Sequence, residues 1–234
     1  MTRGQTMASR WFRLLTASLL VLGTACTASL HQGRLSPLVS KQEERAQAAQ
    51  LERKAARFRW SQQMRLERVL TRLRLGMANP PRLTVEVAAC DAVNASVGDA
   101  TIHVCLGMLR FVRSDDELAV VLGHEMGHLP TSGDHGLLGG TQRGEERVAD
   151  IRGLLYAHRA GYNIRVGARV FERMAVELSP GRGDAEPDGH PSHAERMVLA
   201  EKIARLLEGS GAESNRDVSV KQLHRLMASF GERP

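Results

Sequence analysis

The chain has 234 residues, and its 32 Lys and Arg against 26 Asp and Glu leave a net charge of +6. Apolar residues at 42% and charged residues at 25% are globular values and exclude a disordered or collagen-like chain. Three cysteines exclude a disulfide scaffold and a four-cysteine zinc site, and no apolar run reaches the roughly 18 residues of a membrane span, which excludes a multi-pass membrane protein.

Residues 1–25 read as an export signal. Arg3, Arg10 and Arg13 form a positive start without an acid, and the apolar run Leu14–Ala25 is too short to span a bilayer. The small residues of Leu22-Gly23-Thr24-Ala25 before Cys26 resemble a bacterial lipobox, which implies cleavage before Cys26 and lipidation of its sulfur. Thr27 stands where such signals use Asp for inner-membrane retention, so the resemblance implies a periplasm-facing lipoprotein of the outer membrane. Removing the signal deletes three positive and no negative charges and lowers the net charge to +3. With no binding motif either, no nucleic-acid partner is expected.

Residues 26–40 read as a tether, and residues 41–78 as an N-terminal helix element. Leu51, Ala55, Phe58, Gln62, Leu66, Val69 and Leu73 recur at helical steps and make a narrow apolar stripe. Ten Lys/Arg against four Glu between Lys41 and Arg74 read as a solvated face over a core, in preference to a face lying on anionic lipid. Asn79-Pro80-Pro81 breaks the chain. Leu83, Val85 and Val87 alternate with polar residues as a strand does, and residues 101–106 read as a second strand. A helix is expected from Ser114, where Ser114-Asp115-Asp116-Glu117 fits a capping box, to Leu129-Pro130. Helices are expected over residues 145–160, 166–178 and 191–207, with a short last one in residues 220–230 of the tail 209–234.

His124-Glu125-Met126-Gly127-His128 is H-E-x-x-H. Residues four apart share a helix face, so two imidazoles converge on one metal. Glu125 is placed to act as general base. The apolar residues before the motif bury this helix, and buried imidazoles and a carboxylate need partners. A catalytic zinc takes a third protein ligand. His135 does not fit the metzincin spacing, which needs Gly at Thr131 and His at Asp134. Glu145 and Glu146 open the next helix. The reading favours Glu146, because Glu146 and Asp150 share a face and Asp150 can hold the ring N–H of a ligand histidine.

The motif and what flanks it resemble the family-48 zinc metallopeptidases, the HtpX/BepA/LoiP type. The resemblance rests on H-E-x-x-H with Glu146-Arg147-Val148-Ala149-Asp150 as the Glu-x-x-Ala-Asp segment of a gluzincin. It rests also on Asn94-Ala95 with Gly98, Ile102, Val104, Gly107 and Leu109, and on His190-Pro191 with Arg196. It covers about residues 83–199. It implies an α+β fold, mainly helical with a small sheet, as a metallopeptidase domain over residues 79–208. It also implies one Zn2+ per chain and a protein or peptide substrate.

The resemblance implies Thr101, Ile102, His103 and Val104 as the sheet-edge strand beside the substrate cleft. His190 or Arg196 would donate to the reaction's oxyanion, and His190 would gate the metal. Two departures concern the groove: only 17 residues separate His128 from Glu146, and Asp99-Ala100 replaces glycines before the strand. The expected activity is hydrolysis of peptide bonds in envelope proteins. A zinc-stabilised chaperone and an amide hydrolase acting on cell wall or small molecules are the competing readings. The sequence is silent on oligomeric state.

With Cys26 lipidated, Cys90 and Cys105 remain as an even pair in an oxidising compartment. They are expected to form a disulfide if the strands that carry them are neighbours.

Overall fold

The computed structural model describes residues 39–77, 79–129, 142–178 and 191–209, and of residues 208 and 209 the backbone alone. Residues 1–38, with the signal and Cys26, lie outside it. So do His135, His190 and the tail helix expected over residues 220–230. The chain forms two compact units, Met1–Glu52 and Arg53–Pro234. In the first, Ser40 starts helix α1 (Lys41–Leu75): its Oγ accepts from the Glu43 amide while the Glu43 carboxylate accepts from the Ser40 amide. Among the described residues no helix is long and apolar enough to cross a membrane.

The second unit is α+β, mostly helical with one three-stranded sheet. In α1 the stripe becomes core where Leu66, Val69, Leu70 and Leu73 are buried. Strand β1 (Thr84–Ala88) runs parallel to β3 (Thr101–Cys105), and β2 (Ala95–Gly98) runs antiparallel to it, in the order β1-β3-β2. Strand β3 alternates as its sequence does: Ile102 and Val104 are fully buried, while His103 on the other face meets Glu86 across the strands at 2.7 Å. The core is aliphatic, as the scarcity of aromatics requires; Phe171, Tyr156 and Tyr162 are its aromatic members.

The sheet corrects one expectation. Thr101, Ile102, His103 and Val104 lie in the central strand and not at an edge. The edges are β1 and β2. The outer side of β1 is already occupied, because Gln63 of α1 donates to Val85 O at 2.8 Å and accepts from Val87 N at 3.1 Å. Among the described residues no strand pairs with the outer side of β2. The β2–β3 hairpin turns on Asp99 and Ala100, both left-handed at φ 49° and 57°. That is the geometry of a two-residue primed turn, in which glycine is at ease and alanine is strained. Asp99-Ala100 therefore makes the turn at a conformational cost.

Cys90 and Cys105 are bonded, with Cα atoms 4.9 Å apart. The register explains it: Ala88 pairs with Cys105, which brings Cys90, two residues beyond β1, over the end of β3.

Helix α2 (Leu106–Phe111) follows β3 directly, so Leu106 opens a helix where a strand end was expected. Helix α3 (Asp115–Gly127) is capped by Ser114 Oγ, which accepts from Glu117 N at 3.2 Å. The Glu117 carboxylate makes its return bond one residue further out, to Arg113 N, and holds Arg173 Nη1 and Nη2 at 2.6 Å each. That pair ties the start of α3 to Arg173, further along the chain.

Helix α4 (Gln142–Arg159) is the main partner of α3. The single helix expected over residues 166–178 is instead α5 (Ile164–Gly167), α6 (Arg169–Arg173) and a π-helical turn (Met174–Leu178). Asn163 Oδ1 caps α5 by accepting from Arg165 N and Val166 N. Helix α7 is His193–Gly209.

Candidate metal centre

The site forms where α3 and α4 touch backbone to backbone. A Cβ on Gly123 would lie 2.6 Å from Gly153 O, and one on Gly127 would lie 2.4 Å from Ala149 O. Glycine is required at these points because nothing larger fits between the helices. The spacing of Gly123 and Gly127 on α3 is also that of His124 and His128. The close approach therefore sets both imidazoles against the first turns of α4, where Glu146 and Asp150 are buried. Glu145, its neighbour, is exposed. The structure thus separates the two glutamates, and only Glu146 turns toward the histidines.

His124 Nε2 lies 3.1 Å from His128 Nε2 and 3.3 Å from one Glu146 oxygen, and His128 Nε2 lies 3.5 Å from the other. His124, His128 and Glu146 each offer a ligand atom, all within 4.8 Å of one another. Ligands about 2.0–2.1 Å from a tetrahedral zinc stand about 3.3 Å apart, so the three donors have the spacing such an ion needs. Two imidazoles and one carboxylate are also the donor set of a hydrolytic zinc site. Glu125 is buried in α3 beside His124.

Behind His124 lies a second layer. Its Nδ1 meets Asp150 Oδ1 at 2.8 Å, as expected of a carboxylate orienting a ligand ring. Asp150 in turn accepts from Arg196 of α7, at 2.7 Å from Nη2 and 2.8 and 3.0 Å from Nε. The Arg196 guanidinium stacks over Phe171, 4.6 Å from its ring centroid.

Arg196 thus supports Asp150 on α4, and its Nη2 also lies 3.0 Å from His124 Nδ1 and 3.3 Å from His124 Nε2. His193, which opens α7, is half-buried. Glu195 anchors the same end of α7 by pairing with Arg143 and with Arg147 Nη2, the latter at 2.6 Å, while Ser192 Oγ accepts from its amide. The Ser192-x-x-Glu195 spacing was the available sequence signal for this clamp.

Burial disfavours a charged His124 ring, but hydrogen bonds to Asp150 and Glu146 and the charge of Asp150 outweigh it, and the pKa is pushed up to about 9. Burial and then the neighbouring His124 charge hold His128 below the usual histidine value. Burial would raise Asp150, yet the Arg196 charge and the His124 hydrogen bond hold it below the usual carboxylate value.

A histidine with a raised folded pKa stabilises the fold fully below its unfolded value, and that contribution is lost as pH rises through the folded one. The metal-free chain should therefore lose stability between about pH 6.5 and 9. Zinc competes with the same proton, so zinc affinity should rise over that window. Thermal unfolding of the chelator-treated chain on both sides of the window, with zinc titrations alongside, checks both signs.

Asp150→Ala should cost about 3–5 kcal/mol, because it removes the carboxylate of a largely buried ion pair and leaves the Arg196 charge uncompensated by it. Releasing the His124 ring should also weaken zinc by about 10–100-fold. Denaturant midpoints of the metal-free variant read the first effect and zinc titration the second.

Residues 57–136 match the profile of Peptidase family M48. Comparison with curated proteins finds no match. The matched segment runs from the buried half of α1 through H-E-x-x-H and stops before α4. It supports family M48, and with it a metallopeptidase; Glu146 and Asp150 rest on the geometry alone.

Proposed function

We propose that the chain is a zinc-dependent endopeptidase of the bacterial cell envelope, of the HtpX/BepA/LoiP type and a gluzincin, acting in protein quality control. The observation that carries the reading is the convergence of His124, His128 and Glu146 on abutting buried helices. The M48 match across H-E-x-x-H supports the peptidase chemistry. The lipobox-like Leu22–Cys26 and the preceding apolar run support a lipidated Cys26 and a periplasm-facing, outer-membrane site.

His124, His128 and Glu146 would hold the zinc, which when bound polarises the scissile carbonyl and acidifies water. Asp150 keeps the His124 ring turned so that Nε2 faces the site. Arg196 and Phe171 keep Asp150 ionised and in place. Glu125 takes the proton of the attacking water and returns it to the leaving amine, for which a buried carboxylate next to the first ligand is suited. His190, which precedes α7 in the sequence, would donate to the oxyanion or gate the site. An extended peptide would have the outer side of β2 open to it.

The expected result is cleavage of an unfolded protein substrate by the purified chain, lost on chelation and restored by zinc. Zinc-restored folding without any cleavage would instead support the chaperone reading.

A further inference from the structure

Against the solvated reading that the charge count of this helix favours, we propose that one face of α1, carrying Arg53, Lys54 and Arg57 between Trp60 and Phe58, docks on an anionic phospholipid bilayer. The proposal is independent of the metal site. From Arg53 to Leu66 the helix has five cations (Arg53, Lys54, Arg57, Arg59 and Arg65) and no acid. At about 100° per residue, Leu66, Val69, Leu70 and Leu73 cluster on one side of α1 and Arg53, Lys54 and Arg57 on the opposite side. The cations therefore point away from the core. Arg65 is spent on Asp115, at 2.7 Å. Arg53, Lys54, Arg57 and Arg59 are exposed and make no ion pair among the described residues.

The aromatics give the patch its chemistry. Trp60 is 67% exposed and Phe58 39%, and they flank the three cations around the helix. Exposed tryptophan costs solvation unless a partly apolar environment takes its ring, and the bilayer interface is where tryptophan is favoured. Cations flanked by aromatics on a helix face match an anionic headgroup layer above an acyl boundary. A nucleic acid would be met by phosphate contacts plus polar groups reading bases or sugars, and this face carries no Asn, Gln or Asp between residues 53 and 61. Each cation near an anionic bilayer contributes about fivefold in binding.

Trp11 and Trp60 are the only tryptophans, so the full chain bearing Trp11→Phe reports on Trp60 alone. It is incorporated through its own N-terminal segment into vesicles of phosphatidylethanolamine with phosphatidylglycerol, or of phosphatidylcholine, each containing brominated acyl chains. Flotation confirms equal incorporation, and circular dichroism confirms folding. The expected result is a blue-shifted, bromolipid-quenched Trp60 in the anionic vesicles. It should be reversed on raising salt from about 0.1 to about 0.5 M, and absent in phosphatidylcholine. The variant R53Q/K54Q/R57Q should shift docking by about a hundredfold and abolish quenching. Unquenched Trp60 in anionic vesicles, equal quenching in both lipids or in the variant, or a Trp60 response to duplex DNA with none to vesicles would each overturn the proposal.

Discussion

Glu125→Gln should lower peptide cleavage by about 10²–10⁴-fold while leaving zinc binding and thermal stability near those of the parent chain. The substitution keeps the shape and burial of the side chain and removes only its basicity. Glu125 is buried in α3 but is not among the residues that converge on the metal position, so the ligand set is untouched. Single-turnover cleavage of an unfolded substrate, with metal content measured on the same preparation, checks the prediction. Loss of both zinc and cleavage would make Glu125 a structural residue. Full activity would move the base elsewhere.

The site was legible in the sequence to the extent that it is local. His124 and His128, four apart, and Glu146 and Asp150, four apart, announce two helix faces by spacing alone. That the two faces meet depends on Gly123 and Gly127 lying against Ala149 and Gly153, a packing fact that spacing does not express. Arg196 shows the limit most plainly. Its partner Asp150 is 46 residues away on another helix, a pairing that no local spacing announces. The Cys90–Cys105 bond was conditional on two strands being neighbours, and the parallel register of β1 and β3 supplied the condition.

The missed elements are short ones. Strand β2 has four residues, one of them Gly98, and too few alternations to stand out from a loop. Helix α2 has six residues and follows β3 without a break, so the apolar run ending at Leu106 read as continuous strand. The break after Gly167 has no proline to mark it, and the polar side chain of Asn163 was the only local cue to where α5 begins. Placing β3 at the edge failed for a different reason. Strand order is a long-range property, and here β1 joins β3 in parallel across the intervening hairpin strand.

Glu146→Ala should remove most of the bound zinc, because two imidazoles alone leave a catalytic-type site one protein ligand short. The adjacent Glu145 is the natural control: it is one residue away, has the same chemistry and is exposed where Glu146 is buried. The measurement is zinc per chain, by elemental analysis of the purified protein after dialysis against a weak chelator, for the parent, Glu146→Ala and Glu145→Ala. Circular dichroism on each sample confirms folding. The structure predicts one zinc per chain in the parent and in Glu145→Ala, and little or none in Glu146→Ala. Equal loss in the two variants, or loss confined to Glu145→Ala, would contradict the His124, His128 and Glu146 centre.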